Sequence, residues 1–251
     1  MKGVLSIMRT IFSNTFLLIA IFLFSPFASS PAEESLSRAN IEHALDLAGQ
    51  GKYIESIAAF DNVRKTTPKL IEPLDGDNMG TVYAAAGDKV GHEAFCRWLF
   101  ERFPLPQKVE NAERTAKAYI VYPGADTIEL LVHAEKLTRY AAENGSGGFL
   151  PWFQVAQGMA LFRLKEYDEA AKWLAMTSEN RDPNVRGLAL AYSALNELGR
   201  GHARKARKLI KQAREALEKL PSPDSEKYTH QWPNVLNIQL AIDEAQRIIE
   251  K

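Results

Sequence analysis

The chain repeats one pattern of small, aromatic and proline residues at intervals of about two helices. Gly51 and Gly87 are 36 residues apart, and Ala170 and Ala206 are separated by the same 36 residues. Apolar residues between these positions recur every three or four residues, which predicts helices, and glycine or proline separates the periodic stretches. A period of this length indicates stacked helix pairs, because one pair alone cannot bury its apolar face.

No run of alternating, β-branched residues interrupts this pattern after Glu33. We therefore predict an all-α chain of about eleven helices, each of roughly 12 to 18 residues, joined by short turns. The last segment, 225–251, has its own apolar periodicity and is expected to cover the terminal pair, as capping helices do in repeat proteins.

Two copies of the repeat pattern are the most complete. The first, in "GKYIESIAAFDNVRKTTP", contains Gly51, Tyr53, Ser56, Phe60 and Pro68. The second, in "GMALFRLKEYDEAAKWL", contains Gly158, Tyr167, Ala170 and Leu174. This order resembles the tetratricopeptide repeat (TPR), and the resemblance covers most of residues 35–220. It implies a right-handed α-solenoid of about five helix pairs with a C-terminal capping helix.

The resemblance also implies roles for residue sizes. Small residues are expected where the two helices of a pair cross, at Ala44, Ser56, Gly80, Gly158 and Ala170. Aromatic residues are expected to fill the space against the next pair, at Tyr53, Phe60 and Tyr167. Residues 107–143 are helical but depart from the pattern, so their register within the array is not assigned.

A narrower resemblance comes from "HEAFCRWLFERF", "NAERTAKAYIVYP" and "LPWFQVAQGMALFRLKEYDEAAKWL". Together these segments are similar to the helical repeat module that follows the kinase domain in some bacterial serine/threonine kinases. The sequence contains neither the glycine-rich phosphate loop nor the catalytic aspartate motifs of a kinase. The resemblance therefore implies an architecture and an assembly role without kinase activity.

The N-terminus has the composition of a secretory signal. Lys2 and Arg9 precede an unbroken apolar run at 16–24, and small residues follow it. We predict a signal peptide over 1–32, cleaved after Ala32, and an exported repeat domain over 33–251, periplasmic or secreted. The alternative is a retained membrane anchor formed by residues 11–28.

Charge and motif content argue against several function classes. Lys plus Arg and Asp plus Glu both number 31, so no basic field of the kind that binds nucleic acid is present. The segment "HEAFC" lacks the second histidine of a zinc peptidase, and the five histidines are dispersed. Cys96, the single cysteine, is expected to be a buried apolar residue. We predict a non-enzymatic protein with no cofactor and no metal site.

In TPR proteins the first helix of each pair lines a concave groove. Transferred to this chain, that rule predicts the following partner-binding residues: Trp152, Val155, Met159, Phe162, Arg163, Arg186 and Asn196. Apolar side chains beside Arg and Asn suit an extended peptide or a helical segment of a protein partner. The alternative is that Trp152 and Phe162 are packed between pairs.

The segment 202–214 predicts a strongly basic helix. Arg204, Lys208 and Lys211 lie on its polar side and could contact an anionic lipid or polymer. The alternative is a solvated face balanced by Glu215 and Glu218. The predicted function is thus an exported scaffold that binds an unidentified protein or peptide in its groove. Alternatives are an envelope surface-binding module, in weak peripheral contact with the membrane, or an enzyme subunit.

Overall fold

The computed structural model describes residues 31–104, 108–222, 225, 228 and 231–251. The chain divides into two compact units, residues 1–36 and 37–251. Of the first unit, only residues 31–36 are described, so the predicted anchor at 11–28 and nearly all of the predicted signal peptide lie outside the described residues. None of the described helices combines the length and the apolar character needed to cross a membrane.

Every regular element in the described part of the chain is helical. Two short 3₁₀ helices, Pro68–Leu70 and Gly147–Phe149, accompany the α-helices. The α-helices are α1 Pro31–Gly49, α2 Tyr53–Thr66, α3 Pro73–Ala86, α4 Lys89–Arg102, α5 Val109–Ile120, α6 Ile128–Asn144, α7 Leu150–Arg163, α8 Tyr167–Ala175, α9 Pro183–Gly199, α10 Ala203–Leu217 and α11 Trp232–Ile249.

Consecutive helices pack in pairs, from α1/α2 to α9/α10, and each pair stacks on the next. The first helices α3, α5, α7 and α9 contact one another in series, and together with α1 they form what we call the inner face. This arrangement confirms the predicted all-α, TPR-like array of five pairs followed by one further helix. Helices α5 and α6, which the sequence pattern left without a register, form a regular pair of the array.

Glycine ends helices, and aspartate and proline begin them, at positions that the sequence indicates. Gly87 closes α3 in the left-handed conformation, with φ at 71°, which glycine adopts without steric cost. Asp88 then accepts a hydrogen bond from the Gly91 backbone N–H and caps α4. Asp182 caps α9 in the same way, with Pro183 at the first helical position. These short stops keep the two helices of each pair adjacent.

Small residues mark the helix crossings, with one correction. Ser56 on α2 donates a 2.7 Å hydrogen bond to the Ala44 carbonyl on α1, and Gly158 on α7 leaves room for Leu174 on α8. Both crossings lie within a pair, as predicted. The prediction for Gly80 was wrong, because this residue faces Ala118 on α5, the first helix of the next pair. Gly80 therefore sets the spacing between pairs.

Substitution of Gly80 tests this spacing. An alanine Cβ at this position would lie 2.6 Å from Ala118 Cα and closer still to its carbonyl oxygen, so the two helix backbones must separate. Alanine is the better helix former by about 1 kcal/mol, but forced overpacking costs about 1–3 kcal/mol or more. We expect Gly80→Ala to lower the free energy of unfolding by about 2 kcal/mol, measured by urea denaturation. Gly148→Ala, where the new Cβ has no neighbour within 4 Å, is the control; equal losses in both variants would contradict this account.

Helix α11 covers the last pair, as predicted, and extends further along the inner face. It packs against α9 and α10, where Ile238 fills the space above Gly187. It also contacts α3, where the Thr81 hydroxyl donates a 2.8 Å hydrogen bond to Asn237 Oδ1. Both of these polar side chains are buried. One part of the inner face is therefore occupied by the chain's own last helix.

Candidate functional site

The part of the inner face beside α11 contains a cavity of about 860 Å³. Its lining comes mainly from the first helices of four consecutive pairs, α1, α3, α5 and α7, and from the first turn of α11, with Phe149 and Tyr228 added from the segments before α7 and α11. These elements meet there because each pair stacks its first helix on that of the preceding pair. The cavity is thus a property of the array and does not belong to one repeat.

Five aromatic side chains line the cavity. They are Phe149, Trp152, Phe153, Tyr228 and Trp232. Leu45 and the exposed Leu74 extend this apolar surface across α1 and α3. Rings of this kind give large contact areas to a bound chain at little entropic cost, so they commonly anchor binding partners.

Charged side chains form much of the rest of the lining, and acidic groups predominate among them. Five carboxylates face two cations, Arg114 and Lys117. The carboxylates belong to Glu42, Asp46, Asp77, Glu110 and Glu113. Because carboxylates outnumber cations, the lining carries an excess of acidic groups.

Lys117 is held in a buried ionic cluster at the base of this lining. Its Nζ lies 2.9 Å from Asp77 Oδ2 and 3.0 Å from Glu113 Oε1, and all three residues are more than nine-tenths buried. The same Nζ lies 5.5 Å from the ring centroid of Trp152, a cation–π geometry. The cluster joins α3, α5 and α7 through one ammonium group.

Burial and ionic attraction oppose each other in this cluster. Burial raises the pKa of Asp77 to about 6, although the neighbouring Lys117 ammonium acts to lower it. Burial alone would lower the pKa of Lys117, but its attraction to Asp77 and Glu113 outweighs this effect and raises the pKa. Lys117 therefore stays protonated, and the pKa of Asp77 lies above its ordinary value.

The predicted partner-binding residues of α7 are placed in different environments. Trp152 lines the cavity and is partly exposed. Val155 and Met159 are fully buried, and Phe162 is partly buried, with its ring 6.0 Å from that of Tyr192. Of these side chains, Trp152 alone lines the cavity. Phe162 instead packs between pairs, which was the alternative considered from the sequence.

The predicted partner-binding residues of α9 also lie away from the cavity. Asn196 is buried and donates a 2.9 Å hydrogen bond to the Tyr167 carbonyl. Arg186 is partly exposed, with Glu179 at 3.8 Å. Asn196 thus links α9 to the preceding pair in this conformation.

Arg163 faces inward, as its register predicts, but α11 already contacts it. Arg163 Nη1 and Nη2 lie 2.6 and 2.8 Å from the two carboxylate oxygens of Glu244 on α11. Arg163 Nε donates a further hydrogen bond of 3.0 Å to the Ile120 carbonyl. Tyr192 and the Gly124 backbone N–H complete the network. The polar group expected to orient a partner chain instead fixes the chain's own last helix.

The acidic lining was not among the residues singled out from the sequence. The signal that could have found Asp46, Asp77 and Glu113 was the repeat register itself, extended from α7 back to α1, α3 and α5. Charged residues on amphipathic helices are usually solvated, so no local pattern distinguishes these three. Trp232 required the position of α11, which no repeat register provides.

His92 and Cys96 form a buried contact of catalytic residue types. Cys96 Sγ lies 3.6 Å from His92 Nε2, which is 2.8 Å from the Ala118 carbonyl. Burial lowers the pKa of His92 to about 4 and raises the pKa of Cys96, so both groups are neutral at pH 7. The burial of Cys96 confirms its prediction as a core residue. Among described residues no group of three or more His, Cys, Asp or Glu side chains could hold a metal ion.

The basic side of α10 is exposed. Arg204, Lys208 and Lys211 all face solvent, and Lys211 lies 4.0 Å from Glu215. Lys205, by contrast, lies 2.9 Å from the buried carboxylate of Glu197. Contact of this side with an anionic surface stays a prediction, which a vesicle-binding assay would test.

Comparisons with known proteins add one structural likeness. No family model matches the chain, and no curated protein matches it at a significant level. The chain is similar to a solved structure of nearly identical TPR-like repeats from Podosopora anserina, assigned to a kinesin light chain. The sequences are 15% identical, with 74% of this chain and 97% of that chain covered and a TM-score of 0.45. The TPR-like architecture is established by the set of stacked helix pairs described above.

Proposed function

We propose that this protein is an exported, non-enzymatic scaffold that holds a segment of a partner protein in the inner-face cavity. The observation that carries the proposal is the convergence of four first helices on one cavity with aromatic and charged walls. Convergent apolar anchors with a few polar groups are the usual features of a groove that binds a peptide or a helix. Export is proposed from the basic residues, apolar run and small residues of 1–32.

The extent of the cavity across four helices supports a polypeptide segment as its occupant. It reaches from α1 to α7, across three steps between neighbouring first helices. With helix axes about 8–10 Å apart, these steps span roughly 25 Å. An extended chain covers about 3.3 Å per residue, so roughly seven or eight residues fit along this path.

Site-specific photo-crosslinking tests the proposal. A photoreactive amino acid at Asn78, which lines the cavity on α3, is expected to give a discrete protein adduct in cells. Trp152→Ala should reduce that adduct severalfold, because it removes a central aromatic contact. The same photoreactive residue at Glu55, exposed on the second helix α2, is the matched control. The proposal fails if Asn78 gives no protein adduct, or if both positions give the same adducts.

A further inference from the structure

The accessible carboxylates of the cavity are arranged to receive positive charge. Glu42 and Asp46 are exposed one turn apart on α1, and Glu110 is half-buried in the first turn of α5. Like charges four residues apart destabilise a helix slightly, so the placement of this pair is not explained by the stability of α1. Arg38 reaches Glu42 at 3.6 Å but is itself bound to Asp75 at 2.9 Å. Arg114, one turn after Glu110 on α5, also lines the cavity, so three accessible carboxylates share the lining with one accessible guanidinium and the negative charge is only partly balanced.

The base of the cavity shows how a cation is stabilised there. The Lys117 ammonium lies between two carboxylates and over the ring of Trp152. Other rings, such as those of Phe149 and Tyr228, lie in the same lining as the accessible carboxylates. A second ammonium or guanidinium entering the cavity would find the same two kinds of group, carboxylate and aromatic face.

Asp77 gives an independent indication of unbalanced negative charge in the cavity. This residue lines the cavity and is more than nine-tenths buried, yet its Oδ1 has no hydrogen-bond partner among the described residues. A buried acceptor without a partner is destabilising. Because this oxygen is itself buried, it adds uncompensated negative charge to the lining and is not a direct contact point for a bound chain.

We infer that the segment held in the cavity is basic: an extended stretch of a partner protein with lysine or arginine side chains among apolar ones. This inference rests on the proposed function. The cationic ends contact Glu42, Asp46 and Glu110, and the apolar side chains pack on Trp152 and the neighbouring rings. Because the near-neutral chain has no strong overall field, the selectivity comes from this local lining.

Three matched peptides test the charge preference by titration calorimetry with the exported form proposed above, residues 33–251. Each is a nine-residue peptide with capped ends that alternates leucine with lysine, glutamine or glutamate. We expect the lysine peptide to bind most tightly and to weaken as salt rises, because its contacts are ionic. The glutamate peptide is expected to bind most weakly, since it meets like charges.

Two triple variants locate the binding site. Glu42→Gln/Asp46→Asn/Glu110→Gln should weaken the lysine peptide by about tenfold, since partly exposed ionic contacts contribute up to about 0.5–1 kcal/mol each. Glu55→Gln/Glu101→Gln/Glu143→Gln removes the same net charge from exposed sites on α2, α4 and α6, and should leave binding within about twofold. Circular dichroism would establish that both variants are folded.

The outcomes separate the inference from the proposed function. Equal binding of the lysine and glutamine peptides, tighter binding of the glutamate peptide, or equal weakening by both triple variants would overturn the basic-segment inference. So would failure of the lysine peptide to bind at all. In each case a cavity-specific adduct at Asn78 would still support the scaffold, whereas its absence would remove the proposed function.

Discussion

Replacing Arg163 with methionine is expected to lower the free energy of unfolding by about 3–5 kcal/mol. The substitution leaves the Glu244 carboxylate, on α11, without the guanidinium that lies 2.6 Å away. Arg163 is nine-tenths buried, so water cannot replace the lost hydrogen bonds. Urea denaturation measures the loss, and hydrogen exchange should show that α11 amides lose protection more than those of α5 or α6.

An exposed ion pair of similar length is the control. Arg97 and Glu129 are 2.9 Å apart, with side chains 43% and 74% exposed. Because water screens such a pair, Arg97→Met should cost at most about 1 kcal/mol. Equal losses for the two methionine variants would show that burial of the Arg163–Glu244 pair does not stabilise the contact with α11.

Acidification from pH 6.5 to pH 4 is expected to destabilise the wild-type protein by about 3 kcal/mol relative to His92→Gln. Burial lowers the pKa of His92 to about 4 in the folded state, against about 6.5 in the unfolded chain. The unfolded state therefore takes up a proton first, and the stability present above pH 6.5 is lost as the pH falls toward 4. Glutamine keeps an N–H donor for the Ala118 carbonyl but does not titrate.

The comparison with a variant is needed because Asp77 titrates in the opposite sense. Its folded pKa of about 6 lies above its ordinary value of 3.8, so its contribution to stability is lost as the pH rises through this range. The two effects partly cancel in the wild-type profile. Thermal or urea unfolding at several pH values, taken as the difference between wild type and His92→Gln, isolates the histidine. A flat difference profile would contradict the neutral, buried assignment of His92.

The helices and their pairing could be predicted because the signals for them are local. Apolar periodicity, caps such as Asp88 and stops such as Gly87 act within a few residues of each other. It was harder to predict which helices cross at a given small residue. The sequence shows that position 80 is a glycine, but tertiary packing determines which helix approaches it. A glycine lies at the crossing of two helices of one pair at Gly158, and at the crossing of helices of neighbouring pairs at Gly80.

The candidate site was predictable only in part. The register of α7 predicted groove positions for Trp152 and Arg163; in the structure Trp152 lines the cavity and Arg163 contacts Glu244 on α11. It could not indicate that Glu244, 81 residues later, occupies the position opposite Arg163. Nothing local in "AIDEAQ" distinguishes Glu244 from Asp243, because their difference is one of burial.

Helix α11 also changes how an array of this kind loses its structure. In a linear array each repeat contacts only its neighbours, so unfolding can proceed nearly one repeat at a time. Here the bond between Thr81 and Asn237 joins residues 156 positions apart, and that between Gly124 and Glu244 joins residues 120 apart. Contacts of such high sequence separation couple the second, third and fourth pairs to one terminal helix and raise the contact order of the fold. Detachment of α11 is therefore expected to weaken the second, third and fourth pairs together, and these pairs reach full stability only when this eighteen-residue helix has been synthesised and docked.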